Sequence, residues 1–318
     1  MTGSGLKSIM PDCTTGAIFT VEGIRNAVVL LNGPMGCRFY HSTTSRFLTI
    51  RPLLRLPEEE GREARPVDYN TLNNWFFRQE RVPCTWLDGR DYVYGTKDKV
   101  LEALAYIRDH VALDLLAIVD SPGASLIGDA LLEPARGILG DRVLLLESPG
   151  WSASFEEGAS YAALELLRKG LRLRRSGKGA GEKRVNLLGF NLWQRYQEGD
   201  ILELKRLLKL CGIGVNAILC ADCSLEELER LPEADLNLVV YPELGLDCAR
   251  YLEETWGMPF LVSRPCPWAS GRRRRCWRSC AAAWGRIPPP PWRRAAGPGL
   301  WPGTRSGISS RATAGPGG

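Results

Sequence analysis

Cysteine is the residue type best placed to do chemistry in this chain, and Cys37 sets the first expectation. The run Ala27-Val28-Val29-Leu30-Leu31 ends at Asn32-Gly33-Pro34, and Cys37 follows Gly36. Five apolar residues closed by a turn cluster predict a strand buried on both faces. The residues from Cys37 to His41 predict the first turn of a helix running to about Phe47. A thiol there sits beside unpaired backbone N–H groups at the positive end of the helix dipole, which favours the metal-binding thiolate. A lone cysteine is ordinarily a small buried hydrophobe. The metal reading gains force from Cys13, 24 residues upstream, and a third cysteine, Cys84, directly follows Pro83.

Other reactive groups are sparse. Cys220-Ala221-Asp222-Cys223 is a C-x-x-C at a strand-to-helix loop; with no second such pair in residues 1–263, two packed loop cysteines are the simpler reading. Cys211 and Cys248, in or beside helices, read as buried side chains. Of the two histidines, His41 is four residues after Cys37 and His110 ends a helix, where it complements the dipole. No strand is followed by G-x-G-x-x-G and no G-x-x-x-x-G-K-[ST] occurs, so no direct nucleotide binding is expected.

The elements that must position these residues alternate. Strands are predicted at 27–31, 113–120 and 143–148, with helices near 97–111, from about Leu126, and from 151 to Gly170. Thr96 is placed to cap the helix at 97–111. After an Arg/Lys/Gly-rich stretch at 171–183, strands recur at 185–190, 215–221, 236–241 and 259–262. Ser224 and Glu227 form a capping box for the helix between the second and third of these. Such alternation predicts an α/β fold of repeated doubly wound parallel-sheet domains: a first at 1–172 and a second at 173–263. The pattern leaves the strand order open.

Residues 264–318 differ. Of the chain's 41 Lys and Arg, eleven arginines fall there with no acidic residue, leaving 30 basic against 36 acidic groups in the rest. The body is therefore mildly acidic, which argues against a nucleic-acid surface. The Arg/Pro/Gly/Ala/Trp mixture without periodicity reads as an out-of-frame, disordered tail. The start of the chain has no apolar signal region and no run is long enough to span a bilayer. A cytoplasmic chain with no membrane partner is expected, its ten cysteines serving as thiols or metal ligands.

The pair Cys13…Gly33-Pro34-Met35-Gly36-Cys37 resembles the first two cluster-ligating cysteines of nitrogenase component 1 and its relatives. Asp91…Val93-Tyr94-Gly95, Leu126-Ile127-Gly128-Asp129, and Leu236-Asn237-Leu238-Val239 through Gly257-Met258-Pro259 extend the likeness over about residues 10–263. The resemblance implies Rossmann-like domains, two of three being present and the third lost. It also implies an iron–sulfur cluster, of the 4Fe-4S type, at a contact with a component 1-type chain in a homo- or hetero-oligomer. A nitrogenase-reductase-like ATPase iron protein would be the electron donor.

Departures from the family pattern matter as much. Where many members carry a third cysteine, this chain reads Ser121-Pro122-Gly123-Ala124-Ser125. Cys84 is then the candidate third ligand, Ser121 a weaker oxygen ligand, and the fourth would come from another chain. Tyr241 stands where true nitrogenases anchor their cofactor through cysteine, which argues against dinitrogen reduction. The expected activity is reduction of an unidentified substrate or second cofactor in a cleft between the domains, lined by Trp151, Tyr241 and Glu243, that suits a small organic molecule or tetrapyrrole. A non-catalytic cluster-assembly scaffold and an inactive truncated fragment are the alternatives.

Overall fold

Asp12 opens the first helix because its carboxylate accepts the Thr15 N–H at 2.9 Å. The computed structural model describes residues 12–34, 37, 81–147, 153–175, 183–194 and 197–263. Helix α1 (Cys13–Glu22) is buried along its whole length and stops at Gly23. Strand β1 (Ala27–Asn32) follows, buried at every position, as an unbroken apolar run requires. Next come α2 (Asp91–Tyr94), α3 (Lys97–His110), β2 (Leu115–Asp120), α4 (Pro122–Ile127), α5 (Leu132–Leu139), β3 (Val143–Leu146) and α6 (Phe155–Glu165). A π-type turn carries α6 on to Gly170.

Strands β1, β2 and β3 form one parallel sheet in that order, with Ala27 opposite Leu115 and Asn32 opposite Asp120. Alternate side chains serve its two faces. Val28, Leu30, Leu116 and Ile118 pack on α3 and α5, while Val29, Leu31, Ala117 and Val119 pack on α1 and α6.

The second half contributes β4 (Lys183–Leu188), α7 (Gln197–Lys209), β5 (Ile213–Ile218), α8 (Leu225–Glu229), β6 (Leu236–Val239), α9 (Pro242–Trp256) and β7 (Phe260–Val262). Its parallel sheet has the order β5-β4-β6-β7. Val185, Leu187, Leu236 and Leu238 face α7, and Leu188, Ala217 and Val239 face α9. One hydrophobic cluster runs from the first sheet through α1 and α6 to α9 and the second sheet. The two sheets thus share a core.

Two local expectations change. Thr96 precedes α3 but does not cap it, because its hydroxyl is taken by Asp129 and Asn32. The helix expected from Leu126 instead begins at Pro122, capped by the Ser121 hydroxyl, and ends where Gly128 turns left-handed at φ 71°. A second helix, α5, then starts at Leu132. Ser224 and Glu227 do form their reciprocal capping box. Ser224→Ala should cost about 1 kcal/mol in a urea titration, since the Glu227 N–H loses the hydroxyl that accepts it. The expected helix to Phe47, the 264–318 tail and the turn at 148–151 lie outside the described residues.

Candidate functional site

The first sheet presents its candidate ligands where the strands end. Residues 81–87 run alongside β1 and act as an added parallel edge. Val29 N–H donates to the Arg81 carbonyl at 2.8 Å, Leu31 N–H to Pro83 at 2.9 Å, and Thr85 N–H to Leu31 at 3.0 Å. Pro83 has no N–H to offer, which suits an edge. This pairing sets Cys84 beside Leu31. Its thiol donates to the Gly33 carbonyl at 3.1 Å and accepts the Trp86 N–H at 3.4 Å. Trp86 adopts φ 54° there, a left-handed conformation that costs a bulky residue energy and gathers at functional sites.

Cys37 is half-buried against the same core as Cys84. Burial pushes its thiol up, and the nearby Asp12 carboxylate and Cys84 push it further. Both effects oppose the expected thiolate, and the helix expected to follow Cys37 lies outside the described residues. Cys13 is buried at the start of α1, its carbonyl pressed onto Gly158 of α6. Ser121 is buried, its hydroxyl accepting the Ala124 N–H at 3.3 Å. A Cβ on Gly33 would lie 3.0 Å from that hydroxyl, so Ser121 packs on the residue whose carbonyl receives Cys84.

Thiols are the right donors for an iron–sulfur cluster. Among the described residues, however, no group of three or more His, Cys, Asp or Glu side chains could by itself hold a metal ion. The donor set thus fits in kind and is incomplete.

A polar network that sequence reasoning missed lies behind this edge. Asn32 donates to Asp120 at 2.8 Å and to Thr96 at 3.0 Å, and accepts from Thr85 at 3.1 Å. Asp120 is pushed up to about 6 by burial, against the Asn32 hydrogen bond and with help from Glu147 and Asp129. The signal was present in the sequence: both apolar strands, LLN and IVD, close on a polar residue. In front of the edge, Trp86, Val93, Tyr94 and Leu126 are exposed. Lys99 braces them, donating to Asp91 at 2.6 Å and to the Trp86 carbonyl at 3.3 Å. That contact holds the Asp91 carboxyl below its ordinary range.

In the second sheet the strand order reverses between β4 and β6, the position where open α/β sheets take ligands. Tyr241 follows β6 there and directly precedes α9, its ring edge-on to Phe190 at 5.7 Å and its phenol hydrogen-bonded to Asp200. Gly189, at φ 96°, is required because a Cβ would meet the Tyr241 carbonyl at 2.4 Å. Trp193 packs edge-on against Phe19 and tilted against Phe155, joining this loop to α1 and α6. Glu243 lies in the first turn of α9, and Trp151 is outside the described residues. So is His41; His110 sits on the Tyr106 ring, Nδ1 2.8 Å from the Tyr106 carbonyl.

Cys220 and Cys223 are buried where the loop pairs with Ile24, and Arg25 N–H donates to the Cys223 carbonyl at 2.7 Å. Burial pushes Cys223 up to about 12 and Cys220 well above its ordinary value. Such thiols pack a seam and do not exchange.

Two parallel sheets, each sheathed by helices, with thiols at the strand ends of the first, define a repeated Rossmann-like α/β protein. The chain belongs to the nitrogenase component 1 type oxidoreductase family, whose model matches residues 13–270. It is 33% identical over 201 residues to a light-independent protochlorophyllide reductase subunit of Synechococcus sp. strain WH7803, covering 59% of this chain and 38% of that protein. The corresponding subunit of Methylocella silvestris is 35% identical over 194 residues, again covering 59% and 38%. A solved structure of nitrogenase Cp1 at pH 6.5 superposes with a TM-score of 0.65 at 21% identity, over 87% of this chain and 49% of that one. That likeness is one of fold. The chain therefore spans less than half of these relatives. Among the described residues no helix is long and apolar enough to cross a membrane.

Proposed function

We propose that this chain is a cytoplasmic, nitrogenase component 1-like oxidoreductase subunit that holds a 4Fe-4S cluster at its contact with another component 1-type chain. The observation that supports the reading is that Cys37 and Cys84 both pack, half-buried, on the core that α1, opened by the buried Cys13, also lines. Cys13, Cys37 and Cys84 would hold the cluster, with Ser121 at hand as an oxygen donor. Ligands from the neighbouring chain would complete a set that the described residues leave short. A bound cluster supplies one-electron transfer. The residues of this chain do the rest: the Trp86 N–H, donating to the Cys84 sulfur, orients it as a thiolate, and the core beneath excludes water.

The exposed Trp86, Val93, Tyr94 and Leu126 surface beside the thiols suits a docking reductase, the ATP-dependent iron protein that the resemblance implies. The substrate we propose is a tetrapyrrole, as in the protochlorophyllide of the relatives' name. Tyr241 and Trp193 at the strand-order reversal, with Glu243, offer aromatic and polar contacts for a flat macrocycle. We read residues 1–172 and 173–263 as the two domains flanking that cleft.

Anaerobically purified chain is expected to carry iron and a broad visible absorption that disappears on oxidation. Changing Cys13, Cys37 and Cys84 together to serine should abolish both. Iron retained by the triple variant, or none above background in the wild type, would overturn the proposal.

A further inference from the structure

We infer that Asn32 is the positioning residue of the thiol edge, holding in one arrangement the segments that carry Cys37, Cys84 and Ser121. The inference rests on the cluster reading above for its purpose, though not for its geometry.

Asn32 is buried, at 1% exposure, and it is the last residue of β1. Its amide nitrogen reaches Asp120 at 2.8 Å, one residue before Ser121, and Thr96 at 3.0 Å, one residue before α3. Its amide oxygen accepts the Thr85 hydroxyl at 3.1 Å, one residue after Cys84. Thr85 in turn accepts the Gly33 N–H at 3.1 Å, and the Gly33 carbonyl takes the Cys84 thiol. Thr96 donates to Asp129 at 2.9 Å, which ties in the segment after α4. One side chain thus links β1, the 81–87 edge, β2 and α3. An isosteric apolar residue would fill the space but leave Asp120, Thr85 and Thr96 without this common partner.

Groups that orient metal ligands are worth about 10–100-fold in metal retention. In Asn32→Leu, iron retained per chain should fall about tenfold, and the electron paramagnetic resonance signal of what remains should shift. In the iron-free full chain, alkylation of Cys84 by iodoacetamide, mapped by mass spectrometry, should speed up several-fold. Cys211, remote and half-buried, should react at its wild-type rate. Thr85→Val, which removes one arm and leaves Asn32 on Asp120, should show the same changes more weakly and stands in if Asn32→Leu does not fold. Unchanged Cys84 alkylation in whichever variant folds, even with a lowered melting point, would reduce Asn32 to a structural residue. If the wild-type chain takes up no iron, the cluster reading fails while the alkylation arm still decides the role of Asn32.

Discussion

Gly158→Ala is expected to destabilise the protein by about 3 kcal/mol, the upper end for overpacking a close-packed core. A Cβ at Gly158 would stand 2.0 Å from the Cys13 carbonyl oxygen and 2.6 Å from its Cα. The collision is with backbone, so no side-chain rotation relieves it. The contact is mutual, since a Cβ on Gly16 would stand 2.1 Å from the Phe155 carbonyl. Helices α1 and α6 therefore meet through glycine, and any relief must lift α1 and move Cys13. Gly137→Ala supplies the control: Gly137 lies in α5, and an added Cβ would meet nothing within 4 Å. That substitution should stabilise by about 0.5–1 kcal/mol through helix propensity. Urea titrations of the two variants check the pair, with iron content as a second readout for Gly158→Ala. Equal stability of Gly158→Ala and wild type would contradict the α1–α6 approach.

The second large effect is a pH dependence centred on Glu22. Its carboxyl ends α1 inside the shared core, and burial raises it from 4.5 to about 7, against the pull of Arg81. One carboxylate oxygen, Oε2, has no hydrogen-bond partner among the described residues. Arg81 spends its donors elsewhere, on the Ala27 carbonyl at 3.1 Å and the Ile24 carbonyl at 2.5 Å. The folded state therefore holds this proton more tightly than the unfolded chain. Stability is fully present below about pH 4.5 and is lost as pH rises through about 7, a fall of about 3 kcal/mol from this group. Glu22→Gln keeps the shape and removes the charge. It should match wild type near pH 4.5 and exceed it by up to about 3 kcal/mol at pH 8. Asp120, pushed up in the same sense, is common to both proteins and cancels. Parallel stability curves for the two across this window would show that Glu22 is not buried as described.

Much of the fold was legible because period and punctuation act locally. The run at 27–31 could bury both faces only inside a covered parallel sheet, and it does so as β1. Ser224 with Glu227 needed no more than a three-residue spacing to form its capping box. Thr96 shows where local rules stop. A threonine before a helix is a good cap in isolation, but here its hydroxyl serves Asp129 and Asn32, partners 33 and 64 residues away. Cys37 shows the same limit in electrostatics. A helix dipole acts within about one turn of chain, whereas burial, with Asp12 and Cys84 as negative neighbours, pushes the thiol up.

From the amino-acid order alone came the alternating strands and helices, the parallel sheets that follow from them, and the thiols at 13, 37 and 84. Those features depend on side-chain type and on neighbours within a few residues. Tertiary structure alone decided that residues 81–87 join the first sheet as an edge, that Asn32 links four segments, and that two sheets share one core. The reason is physical: these contacts close loops of tens of residues, and their free energy depends on burial and direction, which no spacing along the chain encodes.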